Sequence, residues 1–321
     1  MTKSSAARRA TLAGFAAVAT VGLVFATAAP AMAAGRSLPA GDRLFSIECD
    51  AAYVLEPQLF SVDAATAAIT KVGEGTYPTS NESCAFQAAY NAKTGVSYFV
   101  DYLDFLPIAS TVLSTIDVTT GQSAIVGNFT IVGEPNAIPF VISIAIGPDG
   151  TAYAIDDDDY LYSLNLSNAQ LTGIAQVDAV GGFRAFGSDP RSGVFYIASS
   201  DFLYTLDVAT GLATQVYEMN FDGEVNARSL QVDSSGVVWV SSSPEGPAEL
   251  WSTTNSAAAE SYSGQFLEDG TIVYTTSLLL IPAPALAATG GEASPIALIA
   301  GLGILTLGGA LVLLRRRAAT A

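Results

Sequence analysis

The sequence predicts an all-β fold, a β-propeller of about five four-stranded blades, and three observations support this prediction. Five similar segments recur with starts 42 to 54 residues apart, and about 40 to 50 residues is the usual length of one blade. Each segment alternates apolar and polar residues before a turn that contains Asp or Asn. A second hairpin of the same kind lies upstream of four of the segments, so that each repeat supplies four strands.

The repeated segment begins with Leu and ends, in four of its five copies, with Asp or Asn. Its copies are Leu59–Asp63, Leu113–Asp117, Leu161–Asn165, Leu203–Asp207 and a shorter Leu250–Ser252. The Asp or Asn side chain is predicted to cap its own turn, and a Gly that follows in two copies supplies a positive φ. These repeated polar residues are therefore assigned a structural role. Aromatic residues recur in the upstream hairpins and are assigned to packing, namely Tyr98, Tyr153, Tyr196 and Trp239.

The first repeat lacks its innermost strand. The upstream hairpins occupy residues 89–98, 145–153, 186–196 and 232–239, but only Arg43 to Glu48 precedes the first segment. A strand-rich stretch from Gly270 to Ile281 is left over at the other end of the domain. We expect it to complete the first blade and close the ring, because closure removes exposed sheet edges. Six blades are the alternative count.

The repeats, of the form Leu-Tyr-x-Ile-Asp-x-x-Thr-Gly, resemble those of secreted bacterial propellers akin to the YVTN and NHL types. The resemblance covers residues 41 to 281. It implies the propeller fold for a domain at 34–281, and it implies no particular activity.

The N-terminus has the three parts of a secretory signal peptide. They are a basic stretch with Lys3, Arg8 and Arg9, an apolar run from Leu12 to Ala29, and the small-residue site Ala31-Met32-Ala33. We predict cleavage after Ala33, so that residues 1–33 are removed. A twin-arginine export route through Arg8-Arg9 and a retained membrane anchor are the alternatives, and Pro30 argues against the anchor.

The C-terminus contains a short motif, an apolar segment and a basic tail, in that order. The motif is Leu286, Ala287, Ala288, Thr289 and Gly290, within a linker at 282–295. The segment 296–314 has 19 apolar or small residues, which is just enough for a transmembrane helix. The tail at 315–321 starts with Arg315, Arg316 and Arg317, which are expected to stop transfer on the cytoplasmic side.

This arrangement resembles the cell-wall sorting signals of Gram-positive surface proteins, in which Leu-Pro-x-Thr-Gly precedes a hydrophobic segment and a basic tail. Ala287 replaces the usual Pro, as in the Leu-Ala-x-Thr-Gly variant used by class E sortases of high-GC actinobacteria. The resemblance implies that a sortase cysteine attacks the carbonyl of Thr289, releases the chain from Gly290 onward and passes the acyl group to a peptidoglycan precursor. An uncut single-span membrane protein is the alternative.

The charge of the chain excludes nucleic acid as a partner. The whole chain carries a formal charge of −17. Residues 35–289 contain 29 of the 30 acidic residues but only seven of the 13 basic ones, which gives this part a net charge of −22. Nucleic acid binding needs clustered Lys and Arg.

Cysteine and histidine usage fit an exported protein without the common catalytic groups. The chain has two cysteines, and we predict a Cys49–Cys84 disulfide, with two separate buried thiols as the alternative. The chain has no histidine, which excludes Ser-His-Asp and Cys-His sites and an imidazole base. We therefore expect a protein that is not an enzyme and has no catalytic residues. The alternatives are an extracellular hydrolase or lyase that uses carboxylates or calcium, and a purely structural wall component.

Two groups of polar residues are candidates for ligand contact. The run Asp156, Asp157, Asp158 and Asp159 offers carboxylates for Ca²⁺ but lacks the spacing of a calcium loop, so a solvated turn is the alternative. Calcium is the single cofactor considered. Arg184 and Arg228 precede successive inner-strand hairpins and could converge on an acidic ligand at one mouth of the central channel. The alternative is that each pairs with a neighbouring carboxylate. The sequence thus predicts a wall-anchored propeller that binds an unknown extracellular ligand.

Overall fold

The computed structural model describes residues 35–48, 58–74, 83–105, 108–134, 136–178, 182, 185–199, 202–219, 227–242, 248–254, 261–273 and 275–284. The predicted signal peptide, sorting motif, apolar segment and arginine tail lie outside these ranges. Within them, no helix has the length and apolar character needed to cross a membrane.

The described residues form 23 strands. In chain order they are β1 (Arg43–Glu48), β2 (Leu59–Val62), β3 (Ile69–Lys71), β4 (Ser83–Asn91), β5 (Val96–Phe105), β6 (Ile108–Ile116), β7 (Ser123–Asn128), β8 (Thr130–Ile131), β9 (Val141–Ile146), β10 (Ala152–Asp156), β11 (Tyr160–Asn165), β12 (Gln170–Gln176), β13 (Ala185–Ser188), β14 (Phe195–Ala198), β15 (Phe202–Asp207), β16 (Leu212–Glu218), β17 (Ala227–Val232), β18 (Val237–Ser242), β19 (Glu249–Thr254), β20 (Ser261–Gln265), β21 (Leu267–Glu268), β22 (Thr271–Ile272) and β23 (Thr275–Ile281).

These strands build a five-bladed propeller, as the repeat count predicts. Blade 1 has the strand order β23-β1-β2-β3, blade 2 has β4 to β7, blade 3 has β9 to β12, blade 4 has β13 to β16, and blade 5 has β17 to β20. The added strand β8 joins the outer edge of blade 3, and β21 and β22 form a separate hairpin. The inner strands are β23, β4, β9, β13 and β17.

The ring closes inside blade 1, where the predicted closing strand is confirmed. Strand β23 pairs antiparallel with β1, with Leu44 opposite Leu280 and Ser46 opposite Leu278. The first blade thus takes its inner strand from the far end of the domain. Of the stretch 270–281, only the part from Thr275 onward supplies this strand, because β22 belongs to the small hairpin.

The hydrophobic core consists of five clusters, and each lies between two neighbouring blades. The cluster between blades 5 and 1 shows the pattern, since Trp239 and Phe266 of the blade 5 side pack with Phe60 and Leu280 of blade 1. Trp239 is fully buried and Tyr196 is 5% exposed. These two repeated aromatic residues pack between blades, as the sequence predicts.

Neighbouring blades also contact each other through the residues that come directly after the outer strands. The residue just after an outer strand is buried against the next blade in four cases, which are Phe129, Val177, Met219 and Phe266. The backbones approach closely here, because a Cβ placed on Gly211 of blade 4 would lie 2.8 Å from the carbonyl oxygen of Gln176 in blade 3. Blade 4 therefore needs a small residue where the backbone of blade 3 approaches it.

The turns between the third and fourth strands are capped as predicted. The side chain of Asp63, Asp117, Asn165 or Asp207 accepts a hydrogen bond from the backbone N–H two residues later, at 2.8 to 3.0 Å. Two of these turns place Gly121 and Gly211 at a positive φ of 72° and 75°, whereas the other two place Ala67 and Ala169 there, at 56° and 58°.

We predict that Gly211→Ala destabilises the protein more than Gly133→Ala. Both glycines have a positive φ, 75° and 85°, so both substitutions carry a strain of about 1 kcal/mol. Gly133 has no atom within 4 Å of an added Cβ, whereas Gly211 faces the backbone of Gln176. Urea unfolding should show an additional loss of about 1 to 3 kcal/mol for Gly211→Ala. Equal losses in the two variants would contradict the close contact between blades 3 and 4.

Candidate functional site

The ring has two faces that the inner strands define. Residues at the ends of all five inner strands line one cavity of about 40 Å³, among them Tyr90, Gly147, Ser188, Val232 and Pro282. The five inner strands therefore run in the same direction and end on the same side, which we call the end face. The opposite side is the start face. A cavity of this size holds one or two waters, and it is too small for a substrate.

The centre of the ring is closed by side chains, beginning with Gln87 of β4. This residue is fully buried. Its Nε2 donates hydrogen bonds to the carbonyl oxygens of Phe186 in β13 at 3.0 Å and Leu230 in β17 at 3.1 Å. Strands β13 and β17 also touch, because a Cβ on Gly187 would lie 2.6 Å from the side chain of Leu230. One amide group thus joins three inner strands.

Gln231 of β17 makes the corresponding link to the other side of the ring. Its Nε2 donates to the carbonyl oxygens of Ala88 in β4 at 2.7 Å and Leu278 in β23 at 2.9 Å. The backbone N–H of Leu278 donates to Oγ of Ser229 at 2.9 Å. Together the two glutamines connect four of the five inner strands.

A cluster of three aromatic rings lies at the start face, where blades 2 and 3 meet. Phe86 lies in the first half of β4. Tyr102 lies near the end of β5, opposite Cys84, and Phe140 directly precedes β9. The ring centroids are 5.6 to 5.8 Å apart, with two of the three pairs edge to face. All three side chains are partly exposed. They give this face an apolar surface that a ligand can contact.

The acidic run lies beside this cluster, in the turn between β10 and β11. Asp156 is 6% exposed and opposite Val141. Its Oδ1 accepts hydrogen bonds from the N–H of Asp158 at 3.2 Å and Tyr160 at 2.8 Å, and its Oδ2 accepts one from the hydroxyl of Tyr162 at 2.8 Å. Asp156 therefore holds its own turn together.

Burial raises the pKa of Asp156, and the neighbouring carboxylates of Asp157 and Asp158 add to this effect, although the hydrogen bonds from Tyr160 and Tyr162 oppose it. The pKa of Tyr162 is also raised, first by burial and then by Asp156. The structure thus brings one carboxyl group and one phenol into a buried contact in which a proton is retained more readily than in water.

The remaining residues of the run are arranged differently. Asp157 and Asp158 are exposed, and Asp159 has a positive φ of 60° and accepts a hydrogen bond at Oδ2 from the N–H of Gly182 at 2.9 Å. Within the described part of the chain, no group of three or more acidic or cysteine side chains could hold a metal ion. Calcium binding by this run stays a prediction.

The other predicted site residues fall mostly outside the described ranges. Arg228 is an exposed residue of β17, so it lies within the inner strand rather than ahead of it. Arg184, Cys49 and the sorting motif at 286–290 lie outside the described residues. The convergence of the two arginines, the disulfide and the sorting site therefore stay predictions.

Neither the two glutamines nor the aromatic cluster was predicted from the sequence. A signal for the glutamines existed, since each has apolar neighbours on both sides within its inner strand, Phe86 and Ala88 for Gln87 and Leu230 and Val232 for Gln231. The aromatic cluster had no such signal, because its members come from three strands or loops of two different blades.

Comparison with known proteins gives structural similarity alone. No known protein family matches the chain, and no curated protein is similar in sequence. Many solved structures are similar in fold, and three of them serve as examples. A catalytically inactive variant of virginiamycin B lyase from Staphylococcus aureus has 10% identity and a TM-score of 0.38 over 71% of each chain. Regucalcin, a calcium-binding protein from Agrobacterium tumefaciens, has 15% identity and a TM-score of 0.39 over 64% of this chain and 65% of its own. A gluconolactonase from Xanthomonas campestris has 14% identity and a TM-score of 0.38 over 61% of this chain and 67% of its own.

The expectation that the chain is not an enzyme is corrected by this comparison, since a lyase and a gluconolactonase are among the similar structures. The expectation was drawn from the missing histidine. That absence excludes imidazole chemistry, but carboxyl and hydroxyl groups can also transfer protons. At such low identity, substrates and residue roles must be argued from this chain alone.

We predict that Asp156→Asn changes the pH dependence of stability in a defined direction. Because the folded-state pKa of Asp156 is raised, the free energy of unfolding of the wild type should exceed that of the variant most at pH values below the unfolded-state pKa of about 4. This difference in unfolding free energy should decrease as pH rises through the folded-state pKa. Urea unfolding between pH 3 and 7 measures the difference.

Asp207→Asn is the matched control, and its effect on stability should have the opposite pH dependence. A hydrogen bond from the N–H of Ala209 is the main cause that lowers the pKa of Asp207, so its stabilising effect should be present at neutral pH and lost as pH falls. Two parallel pH profiles would contradict the environment described for Asp156.

Proposed function

We propose that this chain is an exported propeller that a sortase joins to the bacterial cell wall, where it acts on or binds a molecule outside the cell. The order of parts along the sequence carries the proposal. A signal peptide at 1–33 precedes the ring, and Leu286 to Gly290, an apolar segment and three arginines follow it. A pentapeptide alone would be weak, but all of these parts occur in the order that sorting requires.

The structure supports the proposal through the way the ends of the ring are fastened. Asp42, just before β1, is 8% exposed. Its Oδ1 accepts a hydrogen bond from the N–H of Ala283 at 2.7 Å, and its Oδ2 accepts one from the N–H of Ser234 at 2.8 Å. Cleavage after Ala33 and after Thr289 would therefore both fall beyond the last fastened residues. Neither cut would remove a strand.

The same geometry gives the anchored ring an orientation. Pro282 lines the cavity at the end face, so the chain leaves the ring on that side. From Pro282 to Thr289 there are eight residues, which reach at most about 26 to 29 Å. A short connection of this kind keeps the end face towards the wall, and the start face, with its aromatic cluster and acidic turn, is directed away from it.

A second candidate function, compatible with the first, is hydrolysis or elimination on an extracellular substrate. Asp156 favours it, because it is a buried carboxyl group in contact with the hydroxyl of Tyr162, and burial shifts its pKa in the direction that general acid catalysis needs. Turnover of lactone or polysaccharide substrates that is lost in Asp156→Asn, with folding intact, would support it. The carboxyl also has a structural role, so activity must be compared at equal folded fraction.

We predict that Thr289→Ala moves the protein from the wall fraction to the membrane fraction. The sortase acyl intermediate forms at the carbonyl of residue 289, and an altered side chain there removes the recognised motif. Fractionation of the cells and mass spectrometry of the wall-released protein provide the test, and the wild-type chain should end at Thr289. Ala288→Ser, at the variable position of the motif, is the control and should be sorted normally. A wall-released protein that retains Arg315 to Arg317 would disprove sorting.

We also predict that the two faces differ in accessibility on intact cells. Asp158→Cys places a thiol at the start face, and Ser192→Cys places one in the β13–β14 hairpin at the end face; both positions are exposed. A bulky maleimide should label residue 158 at least several-fold faster than residue 192 on cells. In the released protein the two rates should be similar. Equal labelling on cells would refute the orientation and leave the anchoring itself intact.

A further inference from the structure

The start face carries a mixed apolar and acidic surface at the junction of blades 2 and 3. We call it the seam patch. Its members are Phe86, Tyr102, Ile138, Phe140, Glu134, Asp157 and Asp158.

The apolar part of the seam patch is unusually exposed. Ile138 is 61% exposed, the largest value among the exposed large hydrophobic residues of the described chain. It lies two residues before Phe140, whose ring contacts those of Phe86 and Tyr102. An exposed aliphatic side chain in the loop that leads to three partly exposed rings is typical of a surface that gains free energy when a partner covers it.

The acidic part borders these rings. The N–H of Asp157 donates to the carbonyl oxygen of Phe140 at 3.0 Å, so the acidic turn and the ring-bearing loop are adjacent. Glu134 belongs to the same loop as Ile138, and its carboxylate contributes to raising the pKa of Tyr162, as does Asp156. The side chains of Glu134, Asp157 and Asp158 are all exposed.

Two ion pairs between described residues lie elsewhere, Lys71 with Glu74 in blade 1 and Arg191 with Asp189 in blade 4. The charges of Asp157 and Asp158 contribute to raising the pKa of Asp156, so like charges repel one another in this turn. A partner with positive charge would relieve this repulsion.

We propose that the seam patch binds a basic, apolar chain segment, in which Lys or Arg side chains contact the carboxylates and the ring faces while aliphatic side chains cover Ile138. Aromatic faces attract Lys and Arg through their quadrupole, and exposed carboxylates attract them over about 10 Å at moderate salt. Anionic partners are disfavoured by the same charges. A purely apolar partner would have to desolvate the acidic border without compensation. This inference rests neither on anchoring nor on catalysis.

Binding of a synthetic fluorescein-labelled peptide, Leu-Lys-Leu-Lys-Lys-Leu, to the purified protein tests the charged part. Fluorescence anisotropy should give saturable binding that weakens as salt increases. The double variant Asp157→Asn, Asp158→Asn should weaken binding about 3- to 10-fold. The double variant Glu74→Gln, Asp269→Asn removes the same charge from exposed positions outside the patch, and it should bind within about twofold of wild type.

The apolar part is tested by Ile138→Ser, with Ile272→Ser as its control. Both isoleucines are exposed, 61% and 42%, so neither change should unfold the protein. Ile138→Ser should weaken peptide binding about fivefold, because a covered isoleucine contributes about 1 kcal/mol, and Ile272→Ser should leave it unchanged. Absence of saturable binding to the wild type would overturn the proposal. So would equal effects of the patch variants and their controls, which would show general attraction to an acidic protein.

Discussion

The pairing of β1 with β23 is the contact on which the rest of the ring depends. It joins Arg43–Glu48 to Thr275–Ile281 and so supplies the inner strand of the first blade. Leu278 and Leu280 of β23 enter the cluster between blades 5 and 1, whereas Leu279 and Ile281 enter the cluster between blades 1 and 2. Because successive side chains of β23 point to opposite faces of the sheet, this one strand contributes core residues to two interfaces between blades. Without β23, both interfaces would lose core residues, and β1 would become an exposed edge.

Closure also determines where ligand chemistry can occur. Five blades bring the inner strands close enough that Gln87 and Gln231 reach carbonyl oxygens on neighbouring strands and occupy the centre. Buried amide groups usually need hydrogen-bond partners, and here the carbonyl oxygens of Phe186, Leu230, Ala88 and Leu278 accept from the two Nε2 groups. The centre is therefore structural. We therefore expect contact with other molecules on the faces, at junctions between blades such as the one that carries Phe140.

The sequence was sufficient for the parts of this structure that are local and repeated. The turn at Asp117 and the spacing of its copies predicted the blades. The missing strand before Arg43 predicted that the end of the domain closes the ring. Both features can be recognised in short stretches of the sequence. The central glutamines were not predicted, since Gln87 meets Phe186 and Leu230 only after four blades have closed. The aromatic cluster was missed for the same reason. Its residues are far apart in sequence and are ordinary core residues by composition.

The absence of histidine has a consequence for a protein placed outside the cell. Histidine is the side chain whose ordinary pKa lies between pH 5 and 8, and this chain has none. Any response of this chain to pH in that range therefore comes from a group other than imidazole. Asp156 of the start face is a candidate, because burial raises the pKa of its carboxyl group. The start face thus combines exposed carboxylates at its border, those of Asp157 and Asp158, with one buried carboxyl group whose pKa is raised.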